Sequence, residues 1–228
     1  MKKTFAVILA MLTLTASAGF AQAEDPALAA AKAHVSEAAV LTETDSDDMF
    51  IEYEFSDKDA GVRYDVHVDK ATNAVVRVET DHKRTSAAYA SGEAMDEAAV
   101  LELAAQTLPD ATVNLALLEK DDGRLEWNVF FTETDGLTVY TFDAYSGAVL
   151  DTEKFFAVPE GTLTADKAVE ALKAAKGEVT LESLDLDLDD DTGKLDYDGE
   201  VKLDGQRYEF SLSAADGSMT EWESEDDD

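Results

Sequence analysis

One short pattern occurs three times in this chain, and it restricts the fold more than any other feature. It reads Val68-Asp69-Lys70-Ala71-Thr72-Asn73-Ala74-Val75-Val76, then Phe142-Asp143-Ala144-Tyr145-Ser146-Gly147-Ala148-Val149-Leu150, then Leu212-Ser213-Ala214-Ala215-Asp216-Gly217-Ser218-Met219-Thr220. In each copy an apolar residue ends a run, Asn73, Gly147 or Gly217 marks a turn, and small or apolar residues resume. Asn and Gly tolerate the left-handed backbone that such tight turns need. Asp69 and Asp143 are placed to accept backbone N–H groups within the turn, and Ser213 holds the equivalent place more weakly. The copies lie 74 and 70 residues apart, too far for a solenoid and suited to small domains in tandem.

A helix is expected before each set of strands. In the third copy Thr164 is an N-cap, Leu163 can staple onto the first turn, and Ala165, Ala168, Val169, Leu172 and Ala175 form one apolar face. Lys173 and Lys176 suit the C-terminal dipole, and Gly177 ends the helix. In the second, Ala98, Leu101, Ala105 and Leu108 give the core-facing stripe, and Pro109 follows it. In the first, Asp25 caps, Pro26 opens the helix, and Leu28, Ala31 and Val35 face the core.

The strands alternate. Val62, Tyr64, Val66 and Val68 oppose Arg63, Asp65, His67 and Asp69, so His67 is expected to face solvent. Leu125, Trp127, Val129 and Phe131 share a face in the second copy, and Tyr208, Phe210 and Leu212 in the third. Asp135-Gly136 and Asp204-Gly205 are hairpin signals. One helix on a half-buried antiparallel sheet of three or four strands is a two-layer α+β unit. The expected organisation is a leader at 1–23, units at 24–81, 93–156 and 161–222, and a disordered acidic tail at 223–228. Linkers fall at about 81–92, holding His82-Lys83-Arg84, and 156–161.

The leader has Lys2 and Lys3, an apolar run from Phe5 to Leu14, and small residues up to Ala23, the pattern of a cleaved export signal. Cleavage is expected after Ala23, with Ala18 as the alternative; the destination is the periplasm or the exterior. The run is shorter than the ~20 apolar residues a membrane span needs. The chain has no Cys, so each unit must be held by packing, and thiol chemistry is excluded. A formal net charge of -33 disfavours nucleic acid and anionic membranes and permits cationic partners. Such acidity speaks first to solubility, and a monomer is expected.

At these residues the chain resembles the PepSY family, found in propeptides of thermolysin-like metalloproteases and in related exported proteins. The family finish, V-D-A-x-T-G-x-V, is best matched by Phe142 to Leu150, and the resemblance covers about Ala94 to Lys154. The third copy lacks the Asp at Ser213, and the first has Asn73 where Gly is usual. The resemblance implies a cystatin-like or β-lactamase-inhibitor-like helix-on-sheet fold. It also implies a noncatalytic role, binding or restraining an exported protein such as a protease, with no catalytic residues to transfer.

The residues themselves point the same way. His34, His67 and His82 are the only histidines, and no nucleophile elbow, zinc-protease or phosphate-loop motif occurs. The acidic run from Asp185 to Gly193 fails the EF-hand spacing and reads as an amphipathic strand entering a hairpin. Asp187, Asp189 and Asp191 are its only calcium candidates, for weak association, and no other cofactor is expected. An acidic divalent-cation-binding or envelope-stress protein is the alternative function.

Overall fold

The computed structural model describes residues 25–83, 92–121 and 123–224. The leader at 1–23, Arg84 of the basic cluster and residues 225–228 of the tail lie outside the described residues. The first unit runs α1 (Pro26–Lys32), β1 (Val40–Ser46), β2 (Phe50–Asp57), β3 (Val62–Asp69) and β4 (Val75–His82). The second runs α2 (Glu97–Thr107), β5 (Thr112–Asp121), β6 (Arg124–Thr132), β7 (Gly136–Asp143) and β8 (Val149–Phe156). The third runs α3 (Ala165–Lys176), β9 (Thr180–Leu181), β10 (Asp185–Leu188), β11 (Leu195–Leu203), β12 (Gln206–Ser213) and β13 (Met219–Ser224). The protein is α+β, and its sheets are antiparallel.

The units do not each keep a sheet of their own. Strands β4 and β8, the last of the first two units, pair with each other, giving one eight-stranded sheet in the order β1-β2-β3-β4-β8-β7-β6-β5. The third unit keeps a five-stranded sheet in which β9 and β10 both pair with β11. Pairing β4 with β8 removes two edges that would otherwise present unpaired backbone groups.

Both faces of the large sheet are covered. On one, α1 packs Ala27 and Ala31 against Tyr53, Phe55, Val66 and Val68, and α2 packs Val100 and Ala104 against Trp127, Val129 and Phe142. On the other, Phe50, Phe130, Leu137, Val139 and Phe155 share one core with Ala168 and Leu172 of α3 and with Leu186, Tyr197 and Phe210 of the third unit. The third unit therefore buries its apolar side against a face that alternation alone leaves to solvent.

Several expectations are corrected. Helix α2 turns Val100 and Ala104 inward, while Ala98, Leu101 and Ala105 are exposed. The two stripes are about 100° apart on a helix, and the start of the helix selects between them. Met95 N–H donates to Ala144 O at 2.7 Å and Ala99 N–H to Asp96 Oδ1 at 2.9 Å, which fixes the rotation. Helix α1 ends at Lys32, before Val35; its fully buried residues are Ala27 and Ala31, while Leu28 and Val35 pack against the same core as expected. Thr164 occupies the cap of α3, but its hydroxyl bonds Asp166 and caps no backbone N–H. His82 ends β4 and does not lie in a linker. Glu223 and Ser224 pair with Glu209 and Tyr208 in β13, so they are strand and not tail.

Candidate functional site: an acidic seam and a cleft under the third unit

The repeated turn is a hydrogen-bonded device. Asp69 Oδ1 accepts from Thr72 N at 2.7 Å, and Asn73 N donates to Asp69 O at 2.8 Å with Asn73 at φ +56°. Asp143 Oδ1 accepts from Ser146 N at 2.7 Å, and Gly147 N donates to Asp143 O at 2.9 Å. Gly217 N donates to Ser213 O at 2.8 Å, without a carboxylate at Ser213 to bind the loop. The same turn also closes Asp189 to Gly193, where Asp189 Oδ1 accepts from Thr192 N at 2.7 Å. Asp57 to Gly61 is closed in the same way, and in the sequence Asp189-Asp190-Asp191-Thr192-Gly193 lies inside a dense run of acid.

The second and third units match bond for bond. Trp127 Nε1 donates to Met95 O at 3.1 Å, and Tyr197 OH donates to Leu163 O at 2.9 Å. Met95 N donates to Ala144 O and Leu163 N to Ala214 O, each at 2.7 Å. An aromatic residue, on β6 in the second unit and on β11 in the third, thus ties the entry of each helix to the sheet.

The β4–β8 pairing places acid against acid on the face that carries the third unit. Glu79 lies opposite Glu153 and Asp81 opposite Asp151, while across β3–β4 Asp65 lies opposite Glu79. Like charges facing across a sheet repel. Arg77 relieves part of this: Nε donates to Glu153, and Nη2 donates to Glu79 Oε2 at 3.0 Å. Arg63 Nη2 donates to Asp65 Oδ2 at 2.6 Å. Burial, reinforced by Glu79, pushes the Glu153 carboxyl up to about 7, although Arg77 opposes it. Burial and the neighbours Glu79, Asp81 and Glu153 push Asp151 up to about 8. Asp65 Oδ1 and Asp151 Oδ2 are buried without a hydrogen-bond partner.

His67, expected at the surface, is 4 % exposed because the third unit covers this face. Its Nε2 lies 3.7 Å from Glu52 and its Nδ1 3.5 Å from Asp190. Burial, aided by Arg77, lowers its pKa to about 4, so it is neutral at pH 7. His34 packs edge-on to Phe156 at 4.9 Å. Of the calcium candidates, Asp187 lies on β10, while Asp189 and Asp191 lie in the turn that follows. There Asp189 is committed to Asp191 N and Thr192 N, and these backbone bonds hold its pKa below the ordinary value.

Beside the seam, an open cleft of about 900 Å³ lies between the large sheet and the third unit. Met49, Val76 and Leu195 give it an accessible apolar lining over the buried rings of Phe50 and Phe155, and Asp69, Asp196 and Asp216 bring carboxylates. Three of the repeated turns, at Asp69, at Asp189 to Gly193 and at Ser213 to Ser218, border it.

Fold and site together define a class: an α+β protein of repeated helix-on-sheet units with an acidic seam and a cleft. Residues 94–153 match the family model described as the peptidase propeptide and YPEB domain, so the chain carries a PepSY domain, which coincides with the second unit. No curated protein sequence matches the chain. Among solved structures it is similar to a candidate lipoprotein from Clostridium difficile 630, at 17 % identity and a TM-score of 0.33, covering 59 % of this chain and 96 % of that one. It is also similar to the YpeB C-terminal domain of Bacillus megaterium, at 11 % identity and a TM-score of 0.30, covering 82 % and 87 %. A BLIP-like protein from Bacteroides fragilis NCTC 9343 is similar at 13 % identity and a TM-score of 0.25, covering 61 % and 92 %. Among the described residues no helix is long and apolar enough to cross a membrane.

Proposed function

We propose that this chain is an exported, noncatalytic protein that binds or restrains another exported protein, such as a protease, through the cleft beneath its third unit. The observation that carries this is the lining of the cleft. Met49, Val76 and Leu195, each at least partly exposed, can take an apolar side chain, while Asp69, Asp196 and Asp216 can take flanking Lys or Arg. Apolar anchors ringed by complementary charge are how protein segments are held. The PepSY domain at 94–153 supports a binding role, and the basic, apolar and small-residue order of 1–23 supports export.

The test uses the mature chain immobilised against the exported proteins of its own host, with each captured protease assayed for slowed turnover. Binding should weaken about tenfold or more in the charge-reversed pair Asp196→Lys, Asp216→Lys, because rim charges steer and hold a cationic partner. No partner at low salt, or a partner held equally by this variant, would count against the cleft.

A further inference from the structure

We propose that the seam between the first two units binds one hard divalent cation of the calcium class, held by Asp65, Glu79 and Asp81. This site is separate from the partner cleft and from the acidic run at Asp187 to Asp191. The three residues are on adjacent strands, with Asp65 opposite Glu79 in the β3–β4 register and Asp81 two residues further along β4. Each offers a carboxylate oxygen, and these oxygens lie within 4.8 Å of one another. A calcium shell, with oxygens at about 2.3–2.6 Å from the ion, spans about 5 Å, so one ion can touch all three.

Acidic residues are abundant in this chain, and proximity alone would mean little. Asp65 is what distinguishes this group. Its side chain is 5 % exposed, Arg63 satisfies Oδ2, and Oδ1 has no partner. A buried carboxylate oxygen left bare is costly. Asp65 also belongs to a second close triple, with Glu52 and Glu54, so it is the point where the acid of three strands converges. The two arginines are outnumbered in the seam: Arg63 pairs with Asp65 and Asp81, and Arg77 with Glu79 and Glu153. Asp81 keeps nearly half of its side chain exposed, which leaves an entry path and room for waters to complete the shell. Oxygen-only ligands and the absence of Cys select calcium-like ions over zinc or copper.

The experiment is calorimetric titration of the mature chain with calcium chloride, and separately with magnesium chloride, in 150 mM sodium chloride, with thermal unfolding followed in parallel. One saturable calcium ion per chain is expected, with Kd in the ~10⁻⁴–10⁻³ M range of exported modules and a rise in Tm on saturation. Asp81→Asn, at a half-exposed position, should weaken binding tenfold or more, as should Asp65→Asn. Glu221→Gln, on the far sheet of the third unit, should leave it unchanged. A wild-type chain without saturable calcium heat would overturn the proposal. So would an Asp81→Asn protein that folds and keeps wild-type affinity, since binding would then be diffuse. Loss of calcium binding with partner capture intact leaves the proposed function standing, and the converse leaves the cation site standing.

Discussion

Glu79 and Glu153 face each other across the β4–β8 pairing, and Arg77 donates to both. This one guanidinium sits where two units become one sheet, with 18 % of its side chain exposed. Replacing Arg77 with Met leaves two part-buried carboxylates facing without a cation. Removal of one partner from a buried ion pair costs about 3–5 kcal/mol. The loss should be largest at pH 8 and smaller at pH 5, where the carboxyls hold protons, as urea unfolding in the presence of EDTA would reveal. Adding Glu153→Gln should recover part of it. An Arg77→Met protein as stable as the wild type at pH 8 would show that the seam does not depend on this pairing.

Glu119 gives a pH dependence of its own. Its Oε1 accepts from Leu184 N at 2.9 Å, joining β5 to the third unit, and burial pushes its pKa up to about 8 from 4.5. The folded state therefore holds the proton over a window in which the unfolded chain has released it. Stability contributed by the protonated group is full below the unfolded value and falls as pH rises through the folded one. Glu119→Gln keeps an acceptor for Leu184 without the charge. It should match the wild type at pH 4 and exceed it by about 2 kcal/mol at pH 8.5, a value discounted for the solvent this side chain retains. Equal pH profiles for the two proteins would rule the assignment out.

The turns should differ in tolerance. Gly217 has φ +71°, and a Cβ there would meet Ala171 Cβ at 2.8 Å and Leu163 Cδ1 at 3.0 Å. Gly217→Ala should cost about 2–4 kcal/mol, combining left-handed strain with overpacking against α3. Gly123 has φ +81° with nothing within 4 Å, so Gly123→Ala should cost only the backbone part, about 1–2 kcal/mol. Thermal unfolding of the two variants side by side would show the difference.

The shared core predicts cooperative unfolding. Phe155 belongs to β8 yet packs in the core of the third unit, and it is 1 % exposed. Phe155→Ala should cost about 3–5 kcal/mol and shift one common transition. If tryptophan signals from Trp127 in the second unit and Trp222 in the third separate into two transitions, the units are energetically independent.

Much of the fold is legible in residues taken one at a time. The triple turn locates the end of each long hairpin, because Asp69, Asp143 and the left-handed Asn73, Gly147 and Gly217 act within a few residues of chain. The face of α2 is less legible. Two apolar stripes of equal period lie side by side there, and the bonds at the helix start, Met95 N to Ala144 O and Ala99 N to Asp96 Oδ1, select between them. His67 is illegible for the same kind of reason: alternation shows that it opposes Val66 and Val68, and nothing local shows that both faces of this sheet are covered. Glu79 and Glu153 are 74 residues apart in a chain full of acid, so their meeting leaves no mark in sequence.

The sequence by itself determined the units: helix starts, alternating strands and turns follow from local backbone preference and from period, which are properties of neighbouring residues. Only the tertiary structure decided that two units would fuse edge to edge through β4 and β8, and that the third would lie over the opposite face. Those outcomes depend on burying the edges and faces the finished units leave open. That is also why the acidic seam, made by the fusion, belongs to no single repeat.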